Sequence, residues 1–331
     1  MDPLTHGLVG ATASQSFSDK KKIRPAAFVG AVSAMMADLD FFIHIPSDPL
    51  FNIEVHRQFT HSLIFIPVGA LIATVLLWLF VKKYLTVKEL YFYSILGYTT
   101  AGLLDAFTSY GTQLLWPFLD TRFAWNVISV VDPVVTAGLI VFVGLAVWQR
   151  KKTMARAAGG WLILFLLFGW LQHSRATSAA QNLAADRGHT IEELVVKPTI
   201  ANQRLWRANY IYDDRIYTDA IRTGIFSGIT IYEGESEPRV IIERDFSGFE
   251  GTTLYSDLVR FKHLSENFLI RHPDKPEIIG DARYSMLPTE LTPLWGVEID
   301  TTDTERHLPF LYFRDAGEEI REPFWDMLMG K

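Results

Sequence analysis

The stretch that decides the architecture is residues 62–81, SLIFIPVGALIATVLLWLFV, twenty residues without a charge. A helix of that length rises 1.5 Å per residue and spans about 30 Å, the thickness of a hydrocarbon core. Further apolar segments lie at 4–17, 25–46, 90–108, 127–148 and 157–171. Two of them, 4–17 and 157–171, are short for a full crossing, so the reading is five or six helices within a membrane domain over 1–175. The overall composition hides this. Apolar residues make up 49% of the chain and charged residues 21%, as in a soluble protein. The charges are unevenly placed, however: residues 1–173 hold 13 Lys/Arg and 10 Asp/Glu, whereas 174–331 hold 18 and 27. A soluble single-domain protein is excluded by the apolar runs, and a disordered or collagenous chain by the composition.

Loop charge orients the bundle. Loops 18–24, 82–89 and 149–156 carry eleven Lys/Arg between them, whereas 47–61 and 109–126 carry only Arg57 and Arg122. The positive-inside bias then places the three basic loops in the cytoplasm. Residues 1–6, 38–61, 105–132 and everything after 172 fall on the outer side of a multi-pass membrane protein. No Lys or Arg precedes residue 20, so a basic signal-peptide region is missing and the first residues are expected to be retained. Cysteine is absent, which excludes disulfides, iron–sulfur clusters and thiol nucleophiles.

From about 187 the texture changes. Segments 194–200, 206–212, 225–232 and 239–244 are short, rich in β-branched and aromatic residues, and separated by turn formers. They predict a mainly antiparallel sheet, with 254–269 helical in period. Residues 187–331 thus read as one α+β domain on the extracytoplasmic side. Nothing is basic enough to make nucleic acid a main partner.

Acids in apolar helices need a partner, a wet cavity or shallow depth, because an Asp at mid-helix costs about 2.5–3.5 kcal/mol on insertion scales. The topology gives Asp38, Asp40, Asp105 and Asp132 one depth, at the outer ends of their helices. His6, His56 and His61 join them there. Imidazoles and carboxylates in one shallow site suit a divalent metal. Plainer readings exist for some of these residues. Asp38 and Asp40 lie about 200° apart around a helix, so one stands behind the other unless the turn is irregular. His56 and His61 meet the same difficulty unless His56 lies in the loop. Asp132 before Pro133 equally suits a helix N-cap. His44 and His173 read as interfacial residues at helix ends. Gly102, Asp105 and Ser109 fall on one helix stripe.

The same residues carry a family pattern. Met1-Asp-Pro-Leu-Thr-His6-Gly, Met36-Ala-Asp38-Leu-Asp40, His56-Arg-Gln-Phe-Thr-His61-Ser and Gly102-Leu-Leu-Asp105-Ala-Phe-Thr-Ser-Tyr-Gly111 closely resemble the YdjM-type family. Its members are inner-membrane proteins regarded as metal-dependent hydrolases, some described as LexA-binding. The likeness covers roughly 1–175 in four ordered motifs. The family is grouped with the zinc-dependent phospholipase C and single-strand nuclease superfamily, which implies phosphoester hydrolysis. By that resemblance the metal site is His6, Asp38, Asp40, His56, His61 and Asp105. The chain departs from the pattern at Ala37, where a Pro is common, and at Gly102, where many relatives carry a His.

The expected function is therefore a membrane-bound hydrolase of a lipid or lipid-linked phosphoester. One to three zinc ions, with manganese or magnesium as alternatives, would activate water. Asp40 is the expected general base, and Arg57 the anion clamp for phosphate. Ser62 and Ser109 lack a triad signature. The other classes are a scaffold or regulator with a structural metal, and an ion or proton transporter. The topology is testable because the chain offers no background thiol. An impermeant maleimide should label Thr121→Cys in intact spheroplasts and Lys83→Cys only after permeabilisation; the reverse pattern would invert the orientation.

Overall fold

The computed structural model describes residues 1–225, 228–314 and 317–331. The chain divides into two compact units. The first comprises Met1–Ile43, Val55–Leu171 and Ile200–Asn202; the second comprises His44–Glu54, Gln172–Thr199 and Gln203–Lys331.

The first unit is helical. α1 (Pro3–Ser16) starts at an N-cap, Asp2, whose carboxylate accepts the Thr5 N–H, and Pro3 occupies the first turn, where its missing N–H costs nothing. α2 (Ile23–Met35) tightens into a 3₁₀ segment, Met36–Phe42. The short α3 (Phe51–Val55) and 3₁₀ turns at Phe59–His61 and Leu63–Phe65 lead into α4 (Ile66–Val81). α5 (Val87–Ala106) opens on a Thr86/Glu89 capping box. α6 (Pro133–Gln149) is capped by Asp132, whose Oδ1 accepts from Val134 N and Val135 N, the N-cap arrangement the sequence offered. α7 (Lys152–Asp186) follows.

These boundaries refine the expected segments. The apolar stretch 25–46 ends as helix at Phe42, and 127–132 is a lead-in to α6 and not part of it. The 157–171 stretch is the apolar part of a helix that continues to Asp186. Its polar but Ala-rich end keeps good helix formers after the hydropathy falls. Among the described residues, three helical stretches are long and apolar enough to cross a membrane: Ile23–Phe42, Leu63–Val81 and Lys152–Asp186; Pro133–Gln149 is apolar but shorter. Their outward faces carry Leu71, Val75, Leu79, Phe80, Val141, Leu164 and Leu167 exposed, the reverse of a water-soluble surface.

Packing inside the unit depends on small residues. α1 packs on α2, α5 and α6, and α5 also packs on α2 and α4. A Cβ on Gly30 would collide with the Gly10 carbonyl and the Ser14 hydroxyl, and one on Gly97 with the Gly30 carbonyl, so α1, α2 and α5 approach backbone to backbone.

The second unit carries two antiparallel meanders, β1-β2-β3-β4 and β5-β6-β7-β8. The first is β1 (Glu193–Pro198), β2 (Leu205–Tyr212), β3 (Arg215–Thr223) and β4 (Ile229–Pro238). The end of α7 packs Ala176, Ala179 and Ala180 on its Trp206, Ala208 and Ile221. The second is β5 (Leu269–His272), β6 (Lys275–Asp281), β7 (Trp295–Glu298) and β8 (Phe310–Tyr312). Leu269, Ile279 and Val297 of that sheet pack against Leu254, Leu258 and Phe261 of α9 (Thr253–Leu264). α8 (Ile242–Asp245) precedes α9, and α10 (Glu318–Met329) ends the chain. The strand expected at 239–244 is absent: β4 stops at Pro238, and the Asp245 carboxylate accepts the Ile241 N–H to start α8. Of the expected 225–232 strand, 229–232 form the start of β4, and 226 and 227 lie outside the described residues. The helical reading of 254–269 holds to Leu264, after which Leu269 opens β5.

The glycine contact generates a direct test. Gly30→Val should cost about 1–3 kcal/mol through overpacking, seen as a lower thermal midpoint in detergent, while Gly144→Val, where a Cβ meets open space, should leave it unchanged.

Candidate metal centre

Four side chains from four separate segments converge in the first unit. His6 comes from α1, Asp38 from the 3₁₀ turn, His61 from the turn at Phe59–His61, and Asp105 from the last turn of α5. His6 Nε2 is 3.1 Å from Asp105 Oδ1 and 3.8 Å from Asp38 Oδ2. His61 Nε2 is 3.3 Å from both Asp38 Oδ1 and Asp105 Oδ2. His6, His61 and Asp105 are buried, and Asp38 is partly exposed.

The 3₁₀ geometry resolves the angular conflict between Asp38 and Asp40. Asp38 joins the converging group, whereas Asp40 stands behind the histidines. Asp40 Oδ1 accepts the His56 Nδ1–H at 2.7 Å; Oδ2 accepts the Arg57 N–H at 3.0 Å and the Thr60 hydroxyl. His61 Nδ1 lies 3.3 Å from the same Oδ2 and 3.0 Å from Thr60 Oγ1. One imidazole is thus flanked by Asp40 on one nitrogen and by Asp38 and Asp105 on the other. Burial alone would lower the His61 pKa, but the Asp105, Asp38 and Asp40 carboxylates push it up to about 10. His56 keeps only Asp40 at its Nδ1, with its ring edge-on to His61 at 6.2 Å between centroids and to Phe41 at 6.0 Å.

Arg57, the expected anion clamp, is engaged with Asp105. Its side chain is buried, with Nε 3.1 Å from Asp105 Oδ2, Nη1 donating to Thr108 Oγ1 at 3.1 Å, and the guanidinium over the Tyr110 ring. A carboxylate buried among helices requires a cation, and Arg57 supplies one; the Met1 amino group also donates to Asp105 Oδ1. The inward turn needs a left-handed backbone, φ 62° at Arg57, held by Asp40 on its N–H and by Gln113 N–H on its carbonyl at 3.0 Å.

Sequence reasoning missed Thr60 and Thr108. The only available signal was their place beside His61 and one turn beyond Asp105. It also placed Ser109 on the Asp105 stripe, but α5 ends at Ala106 and Ser109 lies beyond the helix. At Gly102 a Cβ would collide with the His61 carbonyl. A side chain there has no room in this arrangement, so glycine matches the close approach of α5 to the His61 turn.

Several site atoms are buried without a hydrogen-bond partner: Asp38 Oδ2, His61 Nε2, Asp105 Oδ2 and, on its outer side, His6 Nδ1. Such groups are costly unless a ligand satisfies them. His6, Asp38 and Asp105 each offer a donor atom within 4.8 Å of the others. With His61 Nε2 3.3 Å from both carboxylates, these are donor types that suit a divalent cation. In metal-free protein Arg57→Met should cost about 3–5 kcal/mol by leaving Asp105 short of a countercharge; an unchanged thermal midpoint would show that the pair is not buried.

A family model described as YdjM inner membrane protein matches residues 1–176. Comparison with curated proteins and with solved structures gives no match. The matched region is more than half of the chain, contains the four converging side chains and holds the three apolar spans at least in part. The chain belongs to the YdjM inner membrane protein family.

Proposed function

We propose that the protein is a membrane-bound, metal-dependent hydrolase acting on a phosphoester in a lipid or lipid-linked substrate. The observation that carries this reading is the set of buried donor atoms on Asp38, His61 and Asp105, beside His6, that make no hydrogen bond. Those four residues would hold the ion, and the mixed nitrogen and oxygen donors suit zinc, with manganese or magnesium as alternatives. A bound divalent cation supplies an acidified water and neutralises charge on a phosphoryl or acyl oxygen.

The chain's own residues divide the remaining work. Asp40 orients His61 and His56, as carboxylates behind metal-binding imidazoles do. Both Asp40 oxygens already accept hydrogen bonds, so the general-base role passes to His56. Its Nδ1 is fixed by Asp40 and the ring is 30% exposed, so Nε2 would be the atom that takes a proton from the attacking water. Arg57 balances the charge of Asp105. The side chains of Asp38 and His56 keep 21% and 30% exposure, an open side that favours catalysis over a closed structural ion. Transport has less support, because Leu63–Val81 carries no ionisable residue to continue a path. In this reading the basic loops face the cytoplasm, and the site opens at headgroup depth on the other side.

Elemental mass spectrometry of detergent-purified protein tests the reading. Wild type should hold near-stoichiometric metal, and Asp105→Ala and His61→Ala should lose it. Asp40→Ala should bind about 10–100-fold more weakly. His56→Ala should keep the metal and lose phospholipid or phosphomonoester hydrolysis. Wild type that stays metal-free after reconstitution would sink the hydrolase.

A further inference from the structure

The chain leaves the first unit between the two halves of the candidate site and then returns to it. Asp38 and Asp40 precede the excursion, His56, Arg57 and His61 follow it, and residues 44–54 belong to the second unit. There Leu50 is fully buried in the core formed with Leu254, Leu258 and Phe261. Arg260 of α9 grips the excursion at its middle, Asp48, and at its C-terminal end, Glu54. Its Nη1 and Nη2 donate to Asp48 Oδ1 and Oδ2 at 3.1 and 2.9 Å. Its Nε and Nη2 donate to Glu54 Oε1 and Oε2 at 2.8 and 2.6 Å. Nη1 also donates to the buried Asp257 at 2.8 Å, and Asp257 in turn accepts the Leu308 N–H at 2.9 Å and faces His307 Nδ1 at 3.0 Å. Asp48, Asp257 and His307 lie close enough to suggest a cation site, but Arg260 is already the cation among them.

An isolated surface ion pair contributes little. This arrangement differs because one planar guanidinium engages two carboxylates two-fold each and is anchored by a third that is itself buried. The connection to the site is covalent and short. Glu54 precedes His56 by two peptide links, at most about 7 Å of chain, and His56 is held by Asp40. Wherever Glu54 is fixed, the start of the His56–His61 segment has almost no slack.

We infer that Arg260 is a positioning residue for the candidate metal site. By clamping Asp48 and Glu54 it restrains the excursion two residues before His56, and so the start of the segment carrying His56 and His61. The inference rests on the metal reading given above. Linkage makes the effect reciprocal: a clamp that favours metal binding must itself be tightened by the metal.

The test uses the full chain in detergent with zinc alone as the probe. Zinc affinity is measured by competition with a chromophoric chelator for wild type, Arg260→Ala, Arg260→Lys and Glu54→Gln. Arg260→Ala should bind zinc about 3- to 30-fold more weakly, Glu54→Gln should lose less, and Arg260→Lys should recover part of the loss. In wild type, zinc should slow amide hydrogen exchange across 44–54, and it should not do so in Asp105→Ala. Wild type that binds no zinc removes the metal reading and this inference with it. Normal zinc binding in wild type and in every clamp variant, with exchange across 44–54 indifferent to zinc, overturns the positioning role alone. If Arg260→Ala fails to fold, Glu54→Gln and the exchange measurement decide the matter.

Discussion

Three carboxylates gathered where helices pack are the constraint on which the rest of the first unit depends. Asp38, Asp40 and Asp105 repel one another, and two of them are buried. The chain answers with a specific partner for each. Asp105 takes Arg57 and His6, Asp40 takes His56, Thr60 and the Arg57 amide, and Asp38 faces the two histidines. The left-handed residue at Arg57, the 3₁₀ turn at Met36–Phe42 and the backbone-close Gly102 all serve this convergence. Even so, buried donor atoms remain unsatisfied, and that residue of unmet polarity is what a cation would complete.

His61 is the hinge of the arrangement. An imidazole with carboxylates on both nitrogens is fixed in rotation as well as in place, since turning it would break one side to improve the other. Asp40 therefore matters without belonging to the converging group, and the same carboxylate fixes His56. One side chain thus couples the inner donor set to the more open histidine. Within the second unit, Arg260 holds Asp48 and Glu54 of the excursion that links the Asp38–Asp40 turn to the His56–His61 segment.

Much of this was legible in the sequence, for physical reasons. Charges within apolar runs are costly, so Asp38, Asp40 and Asp105 stood out, and Lys/Arg counts gave one depth to residues far apart in sequence. Their convergence in the structure is independent of those counts. Two things were not legible. Burial direction is a tertiary property, so Arg57 read as a clamp for ligand when its guanidinium in fact answers a buried Asp. Hydropathy measures side chains and not the backbone, so α7 was truncated at 171, although its Ala-rich polar end continues the helix to Asp186. The strand expected at 239–244 failed similarly, because the Asp245 capping bond and Pro238 outweigh the β-branched pattern between them.

The most direct test of the central claim is an anomalous diffraction or cryo-EM map of the full chain purified with zinc. The account requires a single strong metal peak within bonding distance of His6, Asp38, His61 and Asp105, with Asp40 outside that shell and hydrogen-bonded to His61. A map with no metal there, and Arg57 alone answering the charge of Asp105, would contradict it.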